Sequence, residues 1–342
     1  MKIRMKISII IVTYNGQTYI EKLFQSLLKA ITPQLDVEVI VVDNGSTDGT
    51  LNLVEKYKVA MRDKLKIVKL GKNLGFAGGN NVGLLFSSGD VVFLLNQDTY
   101  IDEKALVAVH ELFSKRPDVG AAQCLLLQYR YPNLLDSCGD IISEAGFGII
   151  GCWGEKANGA LKEVKEVQLA RGAALAVRRS ILQASKRIHG TYIPTYFVAG
   201  GYEDWYISLF TRLLGYKVFL NPSCIVYHDS LTRRKHNPYI VYNALRLFIE
   251  LNAPVKMFLG RMYFSIIFDI LISENRKNDT RMLLSALRSV TLSVKKSVRL
   301  KYYAETIARF QGKRLSSLWK PRTSAAAWLR WYLTYLRCSF NI

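Results

Sequence analysis

Four polar clusters, each following an apolar run, carry side chains suited to a phosphate-bearing ligand. They are Thr13-Tyr14-Asn15, Asp43-Asn44-Gly45-Ser46-Thr47-Asp48-Gly49, the stretch from Gly71 to Asn81 (GKNLGFAGGNN), and Asn96-Gln97-Asp98. A carboxylate such as Asp43 can hold a ribose or a base edge. Glycines and backbone amides at Gly75, Gly78 and Gly79 allow close approach to phosphate or sugar. Asp98, flanked by amide side chains, suits a hard divalent cation that takes oxygen ligands and keeps waters. In order, the set reads as a nucleotide-diphosphate site with a metal ion. Each piece also has a plainer reading. Asp43–Ser46 alone is an Asx turn and helix cap, GFAGG alone is a loop and helix start, and Asn96–Asp98 alone can cap a following helix. Neither GxGxxG nor GxxxxGK[ST] occurs, so the dinucleotide and P-loop motifs are absent.

Two further groups lie downstream. Glu203-Asp204 opens a helical stretch, Trp205–Leu214, where carboxylates either complement the helix dipole or supply a general base. His228, in Tyr227-His228-Asp229-Ser230, follows a strand and reads equally as a structural histidine or a metal ligand.

The elements that must position these residues are legible as alternating patterns. Ile7–Val12, Val37–Val42, Leu65–Leu70, Val91–Leu95 and Val119–Leu127 are short runs rich in β-branched residues, mostly apolar on both faces, as strands of a buried parallel sheet are. Between them run helical stripes: Ile20, Leu23, Phe24, Leu27 and Leu28, then Ala105, Leu106, Val109, Leu112 and Phe113. The alternation predicts a doubly wound, mostly parallel α/β sheet, whose ligands bind beyond the carboxyl ends of the strands. All four polar clusters stand at such ends. Residues 128–170 are irregular and Gly-rich, the pattern of an active-site cover or a disordered loop. Regular patterning resumes at Gly172–Val177, and two short strands are expected to end near Tyr227. From about Pro238 the pattern is helical.

Length and charge bound the rest. The chain has 342 residues, half of them hydrophobic and 22% charged, which excludes global disorder. Its five cysteines form no CxxC pair and one must stay unpaired; no zinc ribbon or disulfide scaffold is expected, and a reducing compartment suits them. The start, MKIRMKISIIIVTYN, reads as a first strand and not as a signal peptide. Net charge is +20 and sits unevenly: residues 1–229 hold 26 Lys/Arg against 22 Asp/Glu, residues 230–342 hold 21 against 5. Such a tail points to a polyanionic partner. Within residues 281–303, Leu283, Leu287, Val290, Val294 and Val298 share one helical face, opposite Arg281, Arg288, Lys295 and Arg299. Trp328, Trp331, Tyr332 and Tyr335 mix with Arg330 and Arg337 further on. This suits the headgroup layer of an anionic membrane through residues 255–342, or equally a helix packed on the first domain. No apolar run, Met262–Ile272 included, reaches spanning length. Nucleic acid is not expected as a partner, and an oligomer is allowed.

The combination TYN at 13–15, VDNGSTDG at 42–49, NLGFAGGNN at 73–81, LLNQDT at 94–99, GAALAVRRS at 172–180, YED at 202–204 and YHD around His228 resembles glycosyltransferase family 2, most of all its rhamnosyltransferase-like branch in bacterial polysaccharide biosynthesis. The resemblance covers roughly residues 5–250 and implies a GT-A fold over residues 1–237, followed by a basic helical extension at 238–342. It implies that Thr13, Asn15 and Asp43 hold the nucleoside, and that Asn73 and Gly75–Gly79 line the diphosphate and donor sugar beside Asn96 and Gln97. Asp98 stands at the last position of the family's DxD motif, with Asn96 at its first, and would bind Mg2+ or Mn2+ with His228. Asp204 would be the catalytic base, and Glu203 would support the acceptor. Where many relatives carry another acidic residue, this chain has Tyr206. The activity implied is inverting transfer of a sugar, rhamnose among the candidates, from a nucleotide-diphosphate donor to a lipid-linked glycan at the inner face of the cell membrane. Rival readings are transfer to polyprenyl phosphate, which calls for a cationic pocket beside Asp204, and a non-catalytic basic scaffold on membrane or RNA.

Overall fold

The structure is a computed structural model and describes residues 5–143, 148–157, 161–197, 200–230 and 240–251. The order of elements is β1 (Lys6–Thr13), α1 (Gln17–Ala30), β2 (Asp36–Asp43), α2 (Thr50–Lys56), α3 (Lys58–Met61), β3 (Leu65–Lys69), α4 (Gly75–Leu85), β4 (Val91–Leu95), β5 (Thr99–Ile101), α5 (Ala105–Lys115) and β6 (Val119–Gln128). Then come β7 (Leu135–Ser137), β8 (Asp140–Ile142), β9 (Gly148–Ile150), β10 (Lys165–Glu166), β11 (Ala174–Arg178), α6 (Arg179–His189), α7 (Glu203–Leu213), β12 (Lys217–His228) and α8 (Ile240–Glu250).

Most of these elements form one unit, comprising residues up to 139, 152–195 and 203–235. Its sheet runs β10-β12-β6-β11-β4-β1-β2-β3, with β5 on β12 and β7 on β6. The β4-β1-β2-β3 half is parallel, as the apolar runs predict, and its register sets Thr13 beside Asp43 at the carboxyl ends. The other half is mixed: β11 runs antiparallel between β4 and β6, while β12 runs parallel to β6. The α/β expectation therefore holds with a mixed sheet. The stretch expected to hold two strands before His228 is a single strand with a bulge between Asn221 and Ile225; Pro222, lacking an N–H, sits there.

Side-chain alternation on β1 assigns the two faces. Ile7, Ile9 and Ile11 join Ile20, Leu23, Phe24 and Leu27 of α1 in the main core, which also takes Leu106, Val109 and Phe113 of α5. Ile10 and Val12 face α4. There the Gly-rich segment is a helix pressed on the sheet: a Cβ on Gly79 would lie 2.6 Å from Val12 Cγ1, and one on Gly83 would lie 2.5 Å from Ile10 Cγ2. The expectation that no disulfide framework forms is corrected for four of the five cysteines. Neighbouring strands β6 and β12 pair Cys124 with Cys224, and Cys138 pairs with Cys152 across the β8–β9 insertion; Cys338 lies outside the described residues.

A second unit includes 140–151, 196–202 and residues from 236 onward. In it β8 and β9 pair antiparallel, and α8 sets the Arg246 guanidinium 4.6 Å from the Tyr196 ring centre. The expected membrane-facing residues 255–342 lie outside the described residues. No helix among the described residues is long and apolar enough to cross a membrane.

At the amino-terminal edge of the sheet, far along the strands from the polar clusters, Glu38 of β2 is buried within a polar knot. Its carboxylate accepts from Ser8 Oγ at 2.8 Å, Ser88 N–H at 2.6 Å and Lys66 Nζ at 2.9 Å. Burial by itself would raise its pKa; the bonds from Lys66, Ser88 and Ser8 outweigh that and hold it at about 2. A depressed carboxyl pKa stabilises the fold above its ordinary value of 4.5, and the gain disappears as pH falls from there toward about 2. Glu38→Gln should lower unfolding free energy by about 1–3 kcal/mol at pH 7, with the difference from wild type shrinking in that acidic window. Denaturant melts across pH check this; a pH-independent difference contradicts it.

Candidate active site

Four loops at the carboxyl ends of β1, β2, β3 and β4 are laced together by the very side chains expected to bind a donor. Thr13 Oγ1 donates to Asp43 Oδ1 at 3.3 Å, and the buried Asp43 also accepts from Ser46 N–H at 3.2 Å. Asn15 sits in left-handed backbone (φ 47°); its Oδ1 accepts the Thr47 N–H at 2.8 Å, and its own N–H donates to Ser46 Oγ. Asn44 Nδ2 donates to Asn73 Oδ1 and to the Gly75 carbonyl, both at 3.1 Å, which binds the loop after β2 to the loop after β3. Gln97 grips the Tyr14 backbone twice, accepting its N–H at 2.9 Å and donating to its carbonyl at 3.1 Å. The amides of Asn15, Asn73 and Gln97 therefore all shape the rim. Among the glycines, Gly75 (φ 73°) starts α4 with open space where a Cβ would project. Gly78 and Gly79 have neighbours there: Leu74 Cβ at 2.7 Å and the Val12 side chain. Gly79 thus has a packing role against the sheet.

Asp98 and His228 meet because β5 pairs antiparallel with β12, opposing Thr99 to His228, and because the Asp229 N–H donates to the Asp98 carbonyl at 3.0 Å. Both side chains are buried, with His228 Nε2 3.8 Å from Asp98 Oδ1. The other imidazole nitrogen, Nδ1, lies 2.8 Å from Oδ2 of Asp136 on β7, whose Oδ1 accepts the Ser230 hydroxyl at 2.5 Å. Burial works to raise the Asp136 pKa, but the His228 bond and charge, the Arg171 charge and the Ser230 hydroxyl hold it below the usual range. The Asp136 carboxylate holds the imidazole through Nδ1 and leaves Nε2 facing Asp98. A carboxylate behind a ligating histidine is how proteins orient such ligands. No group of three or more metal-binding side chains forms among the described residues. One imidazole and one carboxylate nevertheless fit Mg2+ or Mn2+, which complete their shells with water and substrate phosphate.

Glu203 and Asp204 occupy the first turn of α7, where the helix dipole favours negative charge. The backbone entering it, Gly200-Gly201-Tyr202, runs in left-handed conformation (φ 82°, 107° and 75°). Glu203 is buried. Asp204 is partly exposed, with Oδ2 accepting the Gly172 N–H and Oδ1 accepting the Trp205 N–H, each at 2.9 Å. Glycine gives that approach room: a Cβ at position 172 would stand 3.1 Å from Asp204 Cβ and press on it. Surrounding protein raises the Asp204 pKa, opposed by the Arg171 charge and the two N–H bonds. A carboxylate so raised is the better proton acceptor near neutral pH. Tyr206 turns away, its hydroxyl 3.0 Å from Ser185 Oγ, so its position contributes to α6–α7 packing.

The two regions touch through the start of β11. Gly172 holds Asp204, and the next residue, Ala173, accepts the Asn96 N–H at 3.0 Å, two residues before Asp98. Sequence reasoning assigned no role to Asp136, Arg171 or Gly172. Asp136 lies in LLDSCGD, which has no recognisable spacing; Gly172 opens GAALAVRRS, where its place before an apolar run was the available signal.

Residues 8–129 match the model of "Glycosyl transferase family 2". The chain is 42% identical over 103 residues to the poly(ribitol-phosphate) beta-N-acetylglucosaminyltransferase TarS of Staphylococcus aureus, covering 30% of this chain and 18% of TarS. It is 32% identical over 111 residues to a poly(ribitol-phosphate) beta-glucosyltransferase of Bacillus spizizenii, covering 32% and 17%. The matched stretch thus spans under a fifth of these curated relatives. Among solved structures, S. aureus TarS 1–349 superposes with TM-score 0.56 at 21% identity over 90% of this chain and 92% of that one. The mannosyltransferase PcManGT of Pyrobaculum calidifontis, in complex with GDP-Man and Mn2+, gives 0.51 at 19% over 98% and 81%. Residues 8–129 thus match the glycosyl transferase family 2 model, and the likeness to these solved structures shows a GT-A-like fold.

Proposed function

We propose that this chain is an inverting, metal-dependent glycosyltransferase that moves a sugar from a nucleotide-diphosphate donor to a growing glycan. The carrying observation is the contiguity just described: Asp204 and the backbone of Asn96, two residues before Asp98, are bonded to consecutive residues of one strand entrance, and Asp98 faces a histidine oriented by Asp136. TarS has been crystallised in complex with UDP-GlcNAc, which makes UDP-sugars the first donors to test. Mn2+ accompanies the donor in PcManGT.

In this reading Thr13, Asn15 and Asp43 hold the nucleoside, and Asn73 with the Gly75 amide border the diphosphate. Asp98 and His228 would hold the divalent ion. When bound, it supplies charge neutralisation to the departing diphosphate. Glu203 helps seat the acceptor. Asp204 takes the proton of the acceptor hydroxyl as that oxygen bonds the anomeric carbon. The carbon–oxygen bond to the diphosphate breaks on the opposite face, its electron pair leaving with the phosphate oxygen. Configuration inverts, and one base suffices without a protein nucleophile.

The acceptor we favour is a lipid-linked glycan at the inner membrane face, consistent with the basic 230–342 segment. Transfer to polyprenyl phosphate is the second reading, favoured by the Arg171 charge that acts on Asp204.

Nucleoside diphosphate release with Mn2+, from UDP-, dTDP- and GDP-sugars including a rhamnosyl donor, tests the reading. Asp204→Asn should cut kcat by about 10²–10⁴ while leaving donor affinity within a few-fold. The wild-type rate should fall as pH drops through a base pKa above the usual carboxylate range. An Asp204→Asn enzyme of wild-type rate contradicts the assignment. Asp136→Asn should weaken Mn2+ binding, measured by electron paramagnetic resonance, by about 10–100-fold; unchanged affinity contradicts the orienting role. In the full chain, replacing Arg281, Arg288, Lys295 and Arg299 by Gln should reduce retention on anionic liposomes, each charge being worth about 1 kcal/mol. Undiminished retention argues against the membrane surface.

A further inference from the structure

β6 is an apolar run broken by one fully buried amide, Gln123, in VGAAQCLLLQ. The strand lies between β11 and β12, with Gln123 opposite Leu175 on one side and Leu220 on the other. Burying an amide there is unfavourable unless its polar atoms are bonded. They are. Its Oε1 accepts the Arg171 N–H at 2.7 Å, and its Nε2 donates to the Ser137 carbonyl and to Ser137 Oγ, each at 3.2 Å.

The two partners are neighbours of the two halves of the centre. Ser137 follows Asp136, which orients His228. Arg171 precedes Gly172, whose N–H holds Asp204. One planar side chain, fixed in the middle of the sheet, thus spans from the cation side to the base side. An apolar residue of similar volume would fill the same space but would leave the 137 and 171 backbones without this common anchor.

We propose that Gln123 is a positioning residue that fixes the separation between the Asp136–His228–Asp98 group and the base Asp204. The inference rests on the glycosyltransferase reading above. Removing the tie lets Asp204 shift relative to the scissile bond, and displacements near an ångström cost about 100-fold in rate. In this reading the nucleoside and diphosphate are also held by the rim loops at 13–16, 43–49 and 73–75, with which the Gln123 side chain makes no hydrogen bond.

The test compares wild type with Gln123→Met, which keeps the volume and removes the donor and acceptor, in the full chain with Mn2+ and a donor that wild type turns over. Folding is checked by circular dichroism. The expected result is a kcat lower by about 10–100-fold with donor KM within about threefold, and an acid limb of the kcat–pH profile displaced upward as Asp204 loses the Gly172 bond. If Gln123→Met does not fold, Gln123→Asn, one methylene too short to span both partners, carries the same expectation. A folded variant with kcat within twofold of wild type and an unmoved acid limb overturns the proposal. Absence of turnover by wild type with every donor overturns the glycosyltransferase reading instead, so the two failures are distinguishable.

Discussion

The backbone of residues 171–173 is the constraint on which the centre depends. Three successive residues each bond a different part of the molecule: Arg171 N–H to Gln123, Gly172 N–H to Asp204, and the Ala173 carbonyl to Asn96. The segment leads into β11, the antiparallel strand between β4 and β6. A strand entrance held by the sheet is a stiffer support than a free loop. Moving Asp204 away from the loop of Asp98 would therefore mean breaking sheet contacts.

Electrostatics then separates the carboxylates into roles. Asp136 and Asp204 both feel the Arg171 charge, yet their pKa values move in opposite directions. Asp136 has a histidine and a hydroxyl as partners, so its ionised form wins over burial. Asp204 is opposed by the Arg171 charge and backbone N–H bonds, and burial outweighs them. Carboxylates driven apart in this way divide into one that stays charged and one that exchanges protons.

Much of this was legible in the sequence. β1, β2, β4 and β6 stand out because strands buried on both faces are mostly apolar, β3 at the sheet edge shows as a shorter β-branched run, and the polar clusters after β1–β4 are the loops the structure laces together. The direction of β11 was not legible, since antiparallel and parallel buried strands share one local pattern. α4 was hidden by its glycines, which oppose helix propensity but are required where Gly79 and Gly83 press on Val12 and Ile10. The bulged β12 looked like two strands because Pro222 interrupts it. Asp136 gave no local sign: its meaning comes from β7 pairing with β6, a contact between distant segments. The disulfides depend likewise on strands brought side by side by tertiary structure.

The most direct test is anomalous diffraction at the manganese edge from crystals soaked with Mn2+ and UDP. The account predicts one ion bonded to an Asp98 oxygen and to His228 Nε2 and contacting the diphosphate, with the Asp204 carboxylate facing the space beyond the outer phosphate. An ion bound elsewhere, or a diphosphate whose outer phosphate points away from Asp204, would contradict it.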